Sequence, residues 1–329
     1  MRFSAVLLST FALANSVLAH PGAEFEAELL KRKAFLANAK RIDLSHCTAQ
    51  NKARGLEQRR IERRNAIARE KSKRGLIKRD SADINKNHLS NAPYGAQTPL
   101  DIVFGTNASC VLSLEVVEGP YYVTGESILR NIVEKEPGIP LVVDLAIYNT
   151  TTCKPTPDLW VEIWACNSTG IYSGVASGQS DKDGALQFEA IFPGHYSGRA
   201  QHIHIMMYPN ATARENLTIS DSTASHVGQM YFDQDLIDAV EKFAPYNTNT
   251  QAITVNFEDA FLASGLETSD PIMQYVLLGD SVEDGILSRL SFGIDPDYAT
   301  TIYAAAARYK EGGVANNETA PIPSGITPP

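Results

Sequence analysis

Four side chains in this 329-residue sequence have the types and spacing to hold a metal ion. His202 and His204 stand in the run His202-Ile203-His204-Ile205, and on a β-strand residues two apart share a face. Their positions are then about 7 Å apart along the strand, and the two imidazoles can converge on one ion. Tyr196 follows the turn-forming Pro193-Gly194, and Tyr172 sits in the glycine-flanked loop Gly170-Ile171-Tyr172-Ser173-Gly174. A deprotonated phenol is a hard oxygen donor suited to a hard cation. Two phenolates and two neutral imidazoles together match a ferric ion, whose charge would hold both phenols ionised despite a free pKa of about 10. Spacing alone favours the plainer reading, two strand histidines and two of 13 ordinary tyrosines, and the surrounding residues raise the metal reading.

Those surroundings are Glu118-Gly119-Pro120-Tyr121-Tyr122-Val123, then Trp164 with the Tyr172 loop, then Pro193-Gly194-His195-Tyr196-Ser197-Gly198-Arg199-Ala200-Gln201-His202-Ile203-His204. Together they resemble the intradiol ring-cleavage dioxygenases, in particular their secreted fungal branch. The resemblance runs from about Asn107 to about Asp295 and includes residues 226–233. It implies a two-sheet β-sandwich holding a non-haem Fe(III), with Tyr172, Tyr196, His202 and His204 as ligands and a solvent hydroxide completing the shell. It implies that Arg199 sits beside the ligands facing the substrate, and that Gln229, Tyr121 and Tyr122 line the pocket. The implied reaction uses O2 to open a catechol-type ring between its two hydroxyl-bearing carbons, giving a muconate-type diacid. In it, Tyr196 is the internal base and Arg199 stabilises developing negative charge.

One departure bears on activity. Only Ser173–His195 separate the two tyrosines, less than the family carries, which predicts a lost loop and strand at the mouth of the site. An impaired or non-catalytic secreted sandwich protein is therefore the alternative. A copper oxidase chelating through His20 is a further alternative, opposed by Pro21 and the helical pattern that follows.

The elements that must position these residues read as strands. Residues 111–117, 140–148, 159–164, 185–191 and 203–208 are short runs rich in Val, Ile, Tyr and Trp, with turn signals such as Asp181-Lys182-Asp183-Gly184 between them. Such a series suggests a sandwich or barrel. Asp233 is placed to cap a helix over 234–243. Strands 141–148 and 159–166 are expected to pair as a hairpin near Pro155. That separates Cys153 from Cys166 and leaves Cys47 and Cys110 as their partners in two disulfides.

Charge divides the chain. Residues 20–79 carry 17 Lys+Arg against 7 Asp+Glu, whereas 80–329 carry 11 against 31, so the body is acidic and nucleic acid is not an expected partner. Residues 1–19 read as a secretory signal peptide, no other segment is apolar enough to span a membrane, and the expected location is extracellular. Six Asn-X-Ser/Thr sequons fit a glycoprotein. The expected organisation is a basic helical arm or pro-segment at 20–79, a linker at 80–100, the sandwich at 101–300 and a tail at 301–329. The arm ends in the dibasic pairs Lys73-Arg74 and Lys78-Arg79, and its basic stretch reads either as a solvated helix, as a packed arm or as a homodimer contact.

Overall fold

The computed structural model describes residues 45–73, 110–111, 122–125, 127–172, 176–215, 217–220, 223–266, 270–302, 304, 306–309 and 312–315. The expected signal peptide, His20, the linker, Tyr121 and residues 316–329 lie outside these.

Eight strands carry the fold: β1 (Pro140–Asn149), β2 (Trp160–Trp164), β3 (Ala176–Gln179), β4 (Ala185–Ile191), β5 (His202–Tyr208), β6 (His226–Tyr231), β7 (Gln274–Leu277) and β8 (Ile286–Ile294). The first sheet runs Cys110–Val111, β8, β1, β4, with β7 also on β8. The second runs β6, β5, β2, β3, Ser127–Ile128. Strand alternation builds the core between the sheets. Leu141, Val143, Leu145 and Ile147 of β1 meet Val161 and Ile163 of β2 and Ile203, Ile205 and Met207 of β5. This is the expected two-sheet sandwich. Strands also continue past the expected boundary at 300, where Ala306–Tyr309 pairs with Gly312–Ala315 and with Val123–Thr124.

The expected β1–β2 hairpin does not form. β1 pairs in parallel with β8 and antiparallel with β4, while β2 pairs with β3 and β5 in the other sheet. The physical reason is burial on both faces. All residues of β1 between its ends are buried, so it needs a neighbour on each edge, and β8 supplies one from far along the chain. The shortened stretch between Tyr172 and Tyr196 still contributes β3, bonded to β2 and to Ser127–Ile128.

The outer face of the first sheet is covered by the arm. Its described helices are α1 (Thr48–Ala53) and α2 (Leu56–Lys73). A disulfide joins Cys47 to Cys153, and Arg54 Nη1 donates to the Cys153 carbonyl at 2.6 Å. Arg64 Nε lies 2.7 Å and Arg63 Nη2 2.9 Å from the Asp144 carboxylate, to which Gln187 Nε2 also donates at 2.7 Å. Arg60 donates to the Tyr148 hydroxyl and stacks over that ring at 4.4 Å. Arg60 and Arg64 are fully buried, so the face of α2 that carries them packs on the body, while Arg59 on the same helix is exposed. Burial would raise the Asp144 carboxyl, but Arg64 and Arg63 hold it down at about 2.

The cysteine expectation is half met. Cys166 is a buried thiol whose Sγ donates to the Gly194 carbonyl at 3.1 Å, and burial pushes it up to about 12. The Cys110 side chain lies outside the described residues. His46 sits beside the bonded Cys47 and Cys153, whose sulfurs are thereby closed to a metal.

Candidate metal centre

β5 sets the site. His202 and His204 project from the face of β5 opposite Ile203 and Ile205, and both rings are buried. The His202 Nδ1 lies 2.6 Å from the Ala200 carbonyl, which fixes the Nδ1–H tautomer and leaves a lone pair on Nε2. That Nε2 lies 3.0 Å from the His204 Nε2. His204 is held by Trp164, its register partner on β2, stacked at 4.8 Å between centroids and 7° between planes.

Two loops bring in the phenols. Asn167 Oδ1 accepts from the Thr169 and Ile171 amides at 3.0 and 3.1 Å, shaping the turn that delivers Tyr172. Gly170 has φ +77° and a Cβ there would lie 2.1 Å from the His195 carbonyl oxygen, so this close approach needs glycine. The Pro193-Gly194 turn carries Tyr196, and a Cβ at Gly194 would strike the Ser168 carbonyl at 2.5 Å. The same turn is held at His195, whose Nδ1 lies 2.9 Å from Glu241 and whose Nε2 lies 3.1 Å from the Gln251 carbonyl.

The four donor atoms converge. The Tyr172 hydroxyl lies 3.0 Å from His204 Nε2, 3.4 Å from His202 Nε2 and 3.3 Å from the Tyr196 hydroxyl. The Tyr196 hydroxyl lies 3.3 Å from His202 Nε2. Donors bound at about 2.1 Å around one ion are separated by about 3.0–3.4 Å, so these spacings fit a shared metal. Burial pushes the Tyr172 phenol well above its usual range, the Tyr196 phenol adds to this, and Arg199 opposes it. The protein alone therefore favours neutral Tyr172, and a hard, highly charged cation is what would ionise it.

Arg199 is buried beside this cluster. Its Nε donates to Asp259 Oδ2 at 3.0 Å, and its Nη2 donates to the Tyr231 hydroxyl at 2.8 Å and to Gln229 Oε1. Phe261 lies under the guanidinium at 4.4 Å. Gln229 and Tyr231 stand on β6 opposite His204 and His202, on the same face of the sheet. Of the sequence candidates, Tyr172, Tyr196, His202 and His204 come together, with Arg199 and Gln229 next to them. Tyr122 is placed differently. Its hydroxyl is bonded to Tyr208 at 2.7 Å and Glu162 at 3.0 Å, and its buried ring packs on Trp164. It meets the centre through Trp164.

Sequence reasoning missed Asp259, Tyr231, Phe261 and Glu241. Asp259 precedes helix α4 (Ala260–Leu266) after α3 (Gln234–Val240), and an acid before Ala-Phe-Leu is a readable helix start. Its contact with Arg199, 60 residues away, has no local signal.

No family model and no curated protein matches the chain. Among solved structures, an intradiol ring-cleavage dioxygenase from Tetranychus urticae is 28% identical over 57% of this chain and 96% of its own, with a TM-score of 0.48. The dioxygenase domain of a dioxygenase carbohydrate-binding protein fusion from Streptomyces sp. SirexAA-E is 21% identical over 54% and 95%, at 0.37. A catechol 1,2-dioxygenase from Acinetobacter sp. ADP1 is 17% identical over 62% and 67%, at 0.36. The chain is thus similar to solved intradiol ring-cleavage dioxygenases, and what its site can do is read from its own donor atoms.

Proposed function

We propose that the chain is a secreted non-haem Fe(III) dioxygenase that opens catechol-type rings between the two hydroxyl-bearing carbons with O2, giving muconate-type products. The observation that carries this reading is the 3.0–3.4 Å separation of five of the six pairs among the Tyr172, Tyr196, His202 and His204 donor atoms. Secretion is supported by the N-terminal leader and by the Cys47–Cys153 disulfide.

Bound there, ferric iron would supply a Lewis-acid centre that draws electron density from a catecholate. Tyr196, as phenolate, takes a proton from a substrate hydroxyl at its Oη. His202 presents a fixed lone pair because the Ala200 carbonyl holds its Nδ1–H. Arg199 is a permanent cation beside the donor cluster, placed to stabilise negative charge that develops on the ring oxygens. Gln229 and Tyr231 hold its Nη2 edge, and Asp259 holds its Nε.

The test is production in a eukaryotic secretion host, followed by metal analysis and a visible spectrum. Iron with a phenolate charge-transfer band is expected, and Tyr172→Phe should bleach it. A colourless, iron-free protein after iron loading would sink the reading. Oxygen uptake with catechol, hydroxyquinol and 3,4-dihydroxybenzoate then addresses the substrate.

A further inference from the structure

We infer that Asp259 is a positioning residue that sets the charge selectivity of this site, matching it to catechols that carry no anionic ring substituent. The inference rests on the proposed function. Arg199 is the cation bonded to Gln229 and Tyr231, the β6 neighbours of the histidine pair. A buried guanidinium of this kind would ordinarily attract a substrate carboxylate. Here its charge is already matched. Both partners of the Arg199–Asp259 pair are buried to 1% or less, so water screens their attraction little.

Asp259 is anchored independently of Arg199. Its Oδ1 accepts from the Phe261 and Leu262 amides at 2.8 and 3.0 Å, and its Oδ2 accepts from the Ala200 amide at 2.8 Å. The carboxylate therefore stays in place and fixes the arginine, rather than the reverse. A ring carboxylate approaching Arg199 thus meets an arginine whose charge Asp259 offsets. Selectivity of this kind is a difference of affinities created by withholding a partner from the wrong ligand.

The test titrates the iron-loaded full chain anaerobically with catechol and with 3,4-dihydroxybenzoate, following the visible band. Catechol should bind at least about tenfold more tightly. Asp259→Asn should bring the two affinities within about threefold by tightening the carboxylated compound. In the metal-free protein, the Arg199 Nε–H nitrogen-15 NMR signal should be protected in the wild type and lost in Asp259→Asn. If that variant does not fold, Arg199→Gln combined with Asp259→Asn leaves no lone buried charge and should retain the catechol preference. Equal or tighter binding of 3,4-dihydroxybenzoate by the wild type overturns the inference alone. So does an unchanged affinity ratio in folded Asp259→Asn, or a double variant that prefers the carboxylated ring. Binding of neither compound removes the underlying reading and this inference with it.

Discussion

On the outer face of the first sheet, Asp144 is fully buried and lies 2.7 Å from Arg64 and 2.9 Å from Arg63. On the outer face of the second, His202 and His204 are equally buried, and their Nε2 atoms lie 3.0 Å from each other. In the first region opposite charges close the arrangement, and the arm is thereby fixed to the body. In the second, two imidazole nitrogens and two phenol oxygens converge on one point with no carboxylate or guanidinium among them, a donor set suited to a cation. Burial of polar residues is common to both. The sign of their partners separates a structural clamp from a site that binds something.

The comparison can be broken or sharpened experimentally. Asp144→Ala leaves buried arginines without a counter-charge and should cost about 3–5 kcal/mol in urea unfolding, with iron binding retained. His204→Ala should weaken iron binding about 100-fold or more, read by metal competition, while the arm stays docked by proteolytic protection. Loss of iron binding in the first variant, or release of the arm in the second, would show that the two faces are one coupled system.

A buried histidine outside the donor cluster offers a control. His226 is buried, its ring is 6.1 Å from Tyr298, and burial lowers its pKa to about 3. The folded state thus resists a proton that the unfolded chain binds below about 6.5, so stability falls as pH drops from there towards 3. This amounts to about 2 kcal/mol between pH 7 and pH 5, and His226→Gln should flatten that slope in urea midpoints. The Asp144 clamp acts lower and through the opposite form. Its folded pKa is depressed, so its stabilisation is complete above about 4 and is lost as pH falls through about 2. The smallest effect is expected at Arg59, whose ion pair with Asp183 at 2.8 Å lies at the rim of the arm. Arg59→Ala should leave the thermal midpoint within error.

The two-residue period of β5 puts His202 and His204 on one face, but spacing alone favours ordinary side chains, and the four-residue donor set comes from the resemblance. The sandwich was legible from short β-rich runs separated by turn signals. The partners of β1 were not, since the choice between β2 and β8 depends on packing between segments far apart in sequence. Asp259 was hidden in the same way, because a helix cap is visible locally but the arginine it grips is not. The sequence leaves the arm open between a solvated and a packed helix, because an arginine-rich helix looks alike whether its charges meet water or a buried carboxylate. The expected Cys166 disulfide failed because the thiol is enclosed against the Gly194 carbonyl.

The Cys47–Cys153 bond spans 106 residues of sequence, and both dibasic pairs, Lys73-Arg74 and Lys78-Arg79, fall within that span. A backbone cut at either pair would therefore not release the arm. The product would be a two-chain molecule that migrates as one species and separates into a small basic and a large acidic fragment only on reduction.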